Sequence, residues 1–102
     1  MVKRGEVYWV HLDPTRGSEI RKTRPALVVS PDDMNQVLPR VIIAPLTSKG
    51  QPLGCRPEIR FQNKRARILL DQIRTVDRQR LGEKMGNIEL EIWHPVLMEM
   101  LA

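Results

Sequence analysis

Short apolar runs separated by turn-forming residues dominate this chain of 102 residues. Three of the runs are apolar at consecutive positions and rich in β-branched side chains, a pattern typical of inner strands that are buried on both faces. A fourth run alternates polar and apolar residues, as a strand with one solvent-exposed face does. The predicted strands cover residues 7–12, 26–29, 40–46, 58–62 and 67–71. Residues 74–77 follow, and 78–81 are interpreted as a polar link.

Two segments have helical character. Residues 31–38 begin with a proline and two acidic residues, which suit the first turn of a short helix, and Pro39 should end it. Near the C-terminus, Asn87 is a predicted N-cap for a helix over residues 88–101. Its apolar residues repeat every four positions at Ile88, Ile92, Val96 and Met100. Pro95 lies inside this segment, so we expect a kinked helix or two short ones.

The order of these elements predicts the fold class. Five to seven short strands follow one another without regularly alternating helices, and residues 47–57 form a long loop rich in glycine and proline. Such an order favours an antiparallel, curled sheet or a small open barrel over a doubly wound parallel sheet. A chain of this length is expected to form one domain over residues 1–102.

Charge and cysteine usage narrow the class of function. The net charge of +5 favours a polyanionic partner such as nucleic acid. Cys55 is the only cysteine, which excludes an internal disulfide and a thiolate metal cluster within one chain. No apolar run approaches the ~20 residues that span a bilayer, and the first residues lack a signal-peptide core. We therefore expect a cytoplasmic protein without a membrane segment.

Candidate chemistry is concentrated where loops meet buried strands. Pro25 biases Arg24 towards an extended conformation at such a junction, and a guanidinium offers a planar fork that matches phosphate oxygens. Thr47 and Ser48 end the third apolar strand, where their hydroxyls can contact phosphate. The alternatives are a strand-end arginine with its head group in solvent and hydroxyls that cap a turn.

Other polar residues give weaker signals. Glu19, Asp71 and Gln72 have no distinguishing pattern when each is considered alone. His11 and His94 have no metal-ligand spacing, so no metal site is predicted.

Five ordered motifs between about Lys3 and Lys84 resemble one known family. They are GEVYWV at 5–10, LDPTRGSE at 12–19, TRPALVVS at 23–30, PLTS at 45–48 and DQIRTVD at 71–77. Together they look like the MazF/PemK (Kid) toxins of bacterial toxin-antitoxin modules. Five motifs in the same order are far more specific than any single short pattern.

The resemblance implies a small SH3-like antiparallel barrel with a short crossover helix, a C-terminal helix and a homodimeric assembly. It implies a sequence-specific endoribonuclease that needs no metal or cofactor and cuts single-stranded RNA, mainly mRNA. In this family the 2′-hydroxyl of the RNA attacks the phosphate, leaving a 2′,3′-cyclic phosphate and a 5′-hydroxyl. A cognate antitoxin protein lays a disordered acidic segment along the site, which suits a basic groove.

The resemblance also assigns roles to residues. Arg24 and Thr47 match the principal catalytic pair, with Arg24 clamping the phosphate or donating a proton, and Glu19 matches a position proposed for the general base. One branch of the family has a histidine at the position of Ser18 and an arginine at the position of Leu69. Because both are absent here, Asp71 is assigned to reading RNA bases rather than to catalysis. The expected RNA-binding residues are Ser18, Asn35, Ser48, Lys49, Asp71 and Gln72.

Two other functions are compatible with the same small barrel. CcdB-like toxins poison gyrase without catalysis, but they act through a Trp-Gly-Ile end, whereas this chain ends Glu-Met-Leu-Ala. A non-catalytic RNA-binding module would need aromatic stacking platforms. The chain has four aromatic residues, and Trp9 is expected to face the core. Base preference is expected to depend on loops around residues 47–57 and 64–67.

Overall fold

The computed structural model describes residues 1–12, 17 and 22–102. In this part of the chain seven strands and two α-helices occur, together with short 3₁₀ turns at Leu70–Gln72 and Arg78–Arg80. The strands are β1 (Glu6–His11), β2 (Thr23–Val28), β3 (Arg40–Thr47), β4 (Glu58–Phe61), β5 (Lys64–Ile68), β6 (Arg74–Asp77) and β7 (Leu81–Asn87). The helices are α1 (Asp32–Val37), between β2 and β3, and α2 (Leu90–Leu101) at the C-terminus.

All strand pairs are antiparallel, and their order is β4-β5-β3-β2-β1-β7, with β6 also paired to β3. The first and last strands of this order approach each other, since Gln62 Nε2 after β4 donates to the carbonyl oxygen of Met85 in β7 at 3.1 Å. The predicted mainly β, curled antiparallel sheet with a crossover helix and a C-terminal helix is therefore confirmed.

Two apolar clusters lie on opposite faces of the curled sheet. Along β2, Leu27 belongs to one cluster, and Ala26 and Val28 belong to the other, because successive side chains of a strand alternate between faces. Trp93 and Leu97 of α2 pack into the Leu27 cluster. Each cluster includes residues of both β2 and β3, so these two strands are buried on both faces next to the ends that carry Arg24 and Thr47.

The C-terminal segment differs from its prediction in three respects. Helix α2 begins at Leu90, with Glu89 instead of Asn87 at the cap position, and it continues as one helix through Pro95, so the expectation of two short helices is wrong. Its buried residues are Trp93 and Leu97, while Ile92 and Met100 are exposed. The indole of Trp93 is not part of the four-residue repeat. Its burial determines which face of α2 packs against the core.

The region between residues 64 and 87 also differs. Strand β5 is Lys64–Ile68, earlier than the predicted 67–71, and Asp71 lies in a 3₁₀ turn instead of a strand. Residues 64–67 are thus strand and not loop. Strand β7 was missed altogether, because Leu81–Asn87 carries glycines and charges and none of its residues is fully buried. Backbone pairing with β1 forms it, and sequence periodicity does not detect such pairing.

Candidate functional site

A cleft of about 320 Å³ opens where the beginning of β2 lies beside the end of β3. Arg24 and Thr47, the two residues assigned to catalysis from the sequence, both line it. Their meeting follows from strand register. The β2–β3 ladder ends at the pair of Ala26 and Pro45, and Arg24 and Thr47 each lie two residues beyond it on their own strands. The structure thus brings together two residues that are 23 positions apart in sequence.

The hydroxyl of Thr47 is oriented by the chain that follows it. Thr47 is 91% buried, and its Oγ1 accepts a hydrogen bond from the backbone N–H of Lys49 at 3.2 Å. Because that oxygen already accepts, its own proton can be donated to another group, such as an oxygen of a bound anion. Ser48 also lines the cleft, and Lys49 is exposed immediately beyond it.

The β4–β5 hairpin forms the opposite wall of the cleft. Gln62 and Asn63 connect the two strands with φ values of 52° and 64°, the left-handed pair that a two-residue type I′ turn requires. Gln62, Lys64 and Arg65 all contribute to the lining. The bond from Gln62 to the Met85 carbonyl holds this turn against β7.

Trp9 lies in this cleft and not in the core, so the expectation of a buried Trp9 is wrong. Its side chain lines the cleft, and the residue is 39% exposed. The pairing of β1 with β7 contains a register irregularity between Tyr8 and Val10, which interrupts regular alternation at this point. Gly82 of β7 lies against Trp9, since an added Cβ would be 3.3 Å from the Trp9 Cβ and carbonyl oxygen.

The lining combines an apolar surface with positive charge. Trp9, Phe61 and Met85 supply much of the apolar part. The charged residues among the described lining residues are Arg24, Lys64 and Arg65, and no carboxylate is among them. This composition suits an anion that also carries flat apolar groups, because the cations would attract the charge and the aromatic rings would contact the rest. Sequence reasoning missed Trp9, Phe61, Gln62 and Met85 as lining residues. The short turn at Gln62 and Asn63 was a local signal for Phe61 and Gln62, but Trp9 and Met85 lie on β1 and β7, away from that turn.

Asp71 lies outside the cleft lining and forms an ion pair with Arg56. Arg56 Nε donates to Asp71 Oδ1 at 2.9 Å, and Nη2 donates to Oδ2 at 2.8 Å. The hydrogen bonds from Arg56 hold the pKa of this carboxyl below its usual value, outweighing the opposite effect of burial. Gln72 follows in the same 3₁₀ turn and is half-buried. The structure therefore does not bring Asp71 and Gln72 into the cleft with Arg24.

Asn35 has a structural place in the fold. It is fully buried, its Nδ2 donates to the Ser30 carbonyl at 3.0 Å, and its Oδ1 accepts from the Ser30 hydroxyl at 2.5 Å. Because an RNA base could not reach this amide, the predicted RNA-binding role of Asn35 does not fit the structure. Ser18 and Glu19, the other two residues assigned from the sequence, lie outside the described residues.

The two histidines lie apart from any cluster of metal ligands. His11 Nδ1 is 2.8 Å from the Thr23 hydroxyl, and the His94 ring makes an edge contact with Trp93 at 5.8 Å between centroids. Within residues 1–12, 17 and 22–102, no three His, Cys, Asp or Glu side chains group as metal ligands. Neither of the described helices has the length and apolar character that crossing a bilayer requires.

Comparison with known proteins gives this site a context. Residues 3–100 match the family described as PemK-like, MazF-like toxin of type II toxin-antitoxin system. Endoribonuclease EndoA of Bacillus subtilis (strain 168) is 37% identical over 102 aligned positions, covering 94% of this chain and 88% of that protein.

Solved structures share the fold. MazF from Deinococcus radiodurans superposes with a TM-score of 0.84 at 25% identity, covering 98% of this chain and 96% of that one. An endoribonuclease in complex with its cognate antitoxin from Mycobacterial species gives a TM-score of 0.82 at 20% identity, covering 99% and 95% of the two chains. Because the family match spans nearly every residue, including all those that line the cleft, this chain belongs to the PemK-like, MazF-like toxins of type II toxin-antitoxin systems.

Proposed function

We propose that this chain is a sequence-specific, metal-independent endoribonuclease toxin that cuts single-stranded RNA in the cleft between β2, β3 and the β4–β5 hairpin. Family membership and the identity to an endoribonuclease support the general activity, cleavage of RNA by a toxin. One observation carries the assignment to this cleft. Arg24 and Thr47 lie near the ends of adjacent strands and line the same cleft, whose described charges are all positive.

The proposed reaction begins with attack of a ribose 2′-hydroxyl on the adjacent phosphorus. The 2′-oxygen to phosphorus bond forms, the proton of the hydroxyl passes to a general base, and negative charge builds up on the non-bridging oxygens. The bond from phosphorus to the 5′-oxygen then breaks, and the departing oxygen takes up a proton. The products are a 2′,3′-cyclic phosphate and a free 5′-hydroxyl.

Arg24 and Thr47 stabilise the charge that develops at phosphorus. The guanidinium of Arg24 clamps two phosphate oxygens with parallel hydrogen bonds, and it is a candidate donor of the proton to the leaving oxygen. The Thr47 hydroxyl donates to a non-bridging oxygen, since its own oxygen already accepts from Lys49. Preorganised donors of this kind contribute about 3 kcal/mol each to transition-state stabilisation.

Glu19 is the proposed general base, because a carboxylate accepts a proton near neutral pH whereas a guanidinium does not. Ser18, Ser48 and Lys49 are proposed to contact the RNA on either side of the scissile phosphate. Asp71 and Gln72 are proposed to contact RNA beyond the cleft, because they lie in the 3₁₀ turn of residues 70–72 and are not among the residues that line it. Asn35 is left out of the RNA-binding set because its amide is buried.

The type II toxin-antitoxin family supports an antitoxin protein as the natural inhibitor. An acidic antitoxin segment would compete with RNA for Arg24, Lys64 and Arg65 of the cleft. We further propose that the toxin acts as a homodimer in the cytoplasm, where mRNA is available. Sedimentation or light scattering on the purified chain tests the dimer.

The decisive experiment incubates the purified protein with a long RNA in EDTA and maps the new ends. We expect cuts at a short recurring sequence, with 2′,3′-cyclic phosphate and 5′-hydroxyl ends. Folded Arg24→Ala should cut at least about 100-fold more slowly, and Arg24→Lys should be intermediate because it keeps the charge but not the fork. Glu19→Gln should slow cleavage with little loss of RNA affinity.

Three results would contradict the proposal. Absence of cleavage in EDTA would contradict metal-independent catalysis. Full activity of Arg24→Ala would contradict the assignment of the active site to this cleft. Specific RNA binding without cleavage would favour the non-catalytic RNA-binding module, for which the exposure of Trp9 is the supporting observation. Neither cleavage nor RNA binding would favour the gyrase-directed alternative.

A further inference from the structure

We propose that Trp9 is the stacking platform for one nucleobase of the RNA, and that Trp9, Phe61 and Met85 together form a base-binding subsite. This inference rests on the proposed function, since it deepens the description of the same cleft. Trp9 lies on β1, Phe61 at the end of β4 and Met85 on β7, and all three line the cleft that contains Arg24 and Thr47.

The exposure of Trp9 is the first observation. A large aromatic side chain that is 39% exposed inside a cleft leaves apolar surface in water, which a flat ligand would cover. The other tryptophan, Trp93, is fully buried in the core. The fold therefore has room to bury an indole and nevertheless keeps this one at the cleft.

Strand register supplies the floor of the subsite. Trp9 pairs with Pro25 of β2, and Leu46 of β3 comes directly after the last β2–β3 pair, which is Ala26 with Pro45. These three apolar residues, which lie on the adjacent strands β1, β2 and β3, all line the cleft. Arg24 and Thr47 are the chain neighbours of Pro25 and Leu46 and line the same cleft, so a base on this floor would lie near the phosphate that they hold.

Two glycines of β7 allow the aromatic rings to take these positions. A Cβ at Gly82 would approach the Trp9 Cβ and carbonyl oxygen to 3.3 Å, and a Cβ at Gly86 would approach two ring carbons of Phe61 to 3.3 Å. A side chain at position 86 would press on the Phe61 ring, and one at position 82 would press on the Cβ and backbone of Trp9. The two glycines therefore allow β7 to lie close to the Phe61 ring and to the backbone of Trp9.

Gln62 adds a polar group to the edge of the subsite. Its Nε2 donates to the Met85 carbonyl, and the remaining Oε1 can accept from an exocyclic amino group or ring N–H of a base. The positive charges of Arg24, Lys64 and Arg65 complement the phosphates on both sides of that base. The subsite thus has an aromatic floor, a hydrogen-bonding edge and a positively charged rim. Together these three features match a nucleotide in single-stranded RNA.

The first test uses tryptophan fluorescence with a mixed-sequence 2′-O-methyl RNA oligonucleotide, which binds but lacks the attacking hydroxyl. We expect binding of this oligonucleotide to quench the tryptophan fluorescence of the wild-type protein. Trp9→Phe, whose remaining indole is the buried Trp93, should bind with similar affinity in a fluorescein anisotropy assay but without quenching. Trp9→Leu should lose about 5- to 150-fold in affinity, corresponding to the usual contribution of one stacked base.

The second test locates the base. An abasic nucleotide is placed in turn at each position of the 2′-O-methyl oligonucleotide that carries the mapped cleavage site. At one position, base removal should cancel the affinity difference between wild type and Trp9→Leu, as a coupled pair does in a double-mutant cycle. Unchanged Trp93 emission in Trp9→Leu before addition of RNA serves as the folding control.

The outcomes separate this inference from the proposed function. Wild-type cleavage together with undiminished binding by Trp9→Leu overturns the base subsite alone. Quenching without any cleavage overturns the endoribonuclease and supports the subsite. Quenching with no position whose removal cancels the Trp9→Leu effect overturns the single-base assignment.

Discussion

Arg56 and Asp71 form a two-pronged ion pair that ties the loop after β3 to the 3₁₀ turn before β6. Both bonds of the guanidinium fork are made, at 2.9 and 2.8 Å. Arg56 Nη1 also donates to the Gln51 carbonyl at 3.4 Å. A Cβ at Gly50 would lie 3.5 Å from the Thr47 methyl and 3.6 Å from Arg56 Nη1. The ion pair is thus connected to the loop that orients Thr47.

We predict that breaking this pair loosens residues 48–57 more than it destabilises the whole fold. Arg56→Gln and Asp71→Asn should each increase amide hydrogen exchange in that loop, and a double-mutant cycle should give a coupling energy of about 1 kcal/mol. Urea unfolding and hydrogen exchange measure the two effects. Arg65 and Glu58 provide a matched control, because their exposed pair is 3.6 Å apart and should couple weakly. Equal coupling in both cycles would contradict a special role for Arg56.

Thr47 should be more important for rate than for affinity. Thr47→Val removes the hydroxyl and keeps the shape, so we expect kcat to fall by about 100-fold or more while KM changes little. Thr47→Ser keeps a donor and should retain much of the rate. Steady-state cleavage of a short RNA that carries the mapped site measures both constants. Full activity of Thr47→Val together with a loss in Thr47→Ser would show that the methyl group matters and the hydroxyl does not.

Stability at acid pH should depend on Glu6. The buried carboxylate accepts from the Lys3 N–H at 2.7 Å, the Tyr8 hydroxyl at 2.8 Å and Lys84 Nζ at 2.7 Å. Burial raises its pKa, but these partners together outweigh burial and lower the pKa below the ordinary value of 4.5. A lowered folded-state pKa stabilises the protein above pH 4.5, and that contribution is lost as pH falls through the folded-state value.

Glu6→Gln should therefore cost about 1–3 kcal/mol of unfolding free energy at pH 7, and less below pH 4.5. Urea unfolding across this range measures the change. Glu83→Gln removes an exposed carboxylate from β7 and is the control for net charge. A cost for Glu6→Gln that stays constant from pH 7 to pH 3 would contradict the assignment.

Stability at alkaline pH should depend on Tyr8. Burial and the neighbouring Glu6 carboxylate raise its pKa to about 12. The folded state therefore favours the neutral phenol, and its contribution to stability is present below the ordinary value of 10 and is lost as pH rises towards 12. Absorbance titration of the phenolate checks this prediction, since Tyr8 is the only tyrosine. Titration near pH 10 in the folded protein would contradict it.

The inward face of α2 provides a prediction about packing. Leu97→Ala should destabilise the fold by about 2–5 kcal/mol because it leaves a cavity beside Trp93. Ile92→Ala on the same helix should cost much less, since Ile92 is 41% exposed. Thermal unfolding of the two variants compares the faces directly. A larger loss of stability in Ile92→Ala than in Leu97→Ala would contradict this prediction and support the buried face that the four-residue repeat predicted.

Strand existence was largely predictable because it depends on local composition. The apolar runs that became β1, β2 and β3 are marked by β-branched residues and bounded by turns, and helix α1 is marked by Pro31 and two acids. Strand β7 was not predictable in this way. Its polar sequence forms a strand because β1 offers a free row of backbone groups, which is a tertiary property.

The sequence by itself determined the antiparallel, mainly β architecture, the excess of positive charge and the family, because these depend on local patterns and on motifs in order. It also placed Arg24 and Thr47 at strand ends. Only the tertiary structure decided that the two residues line one cleft, that Trp9 faces this cleft and that Asn35 is buried. The physical reason is that strand register and sheet curl join residues far apart in sequence, and side-chain burial depends on which neighbours this pairing brings.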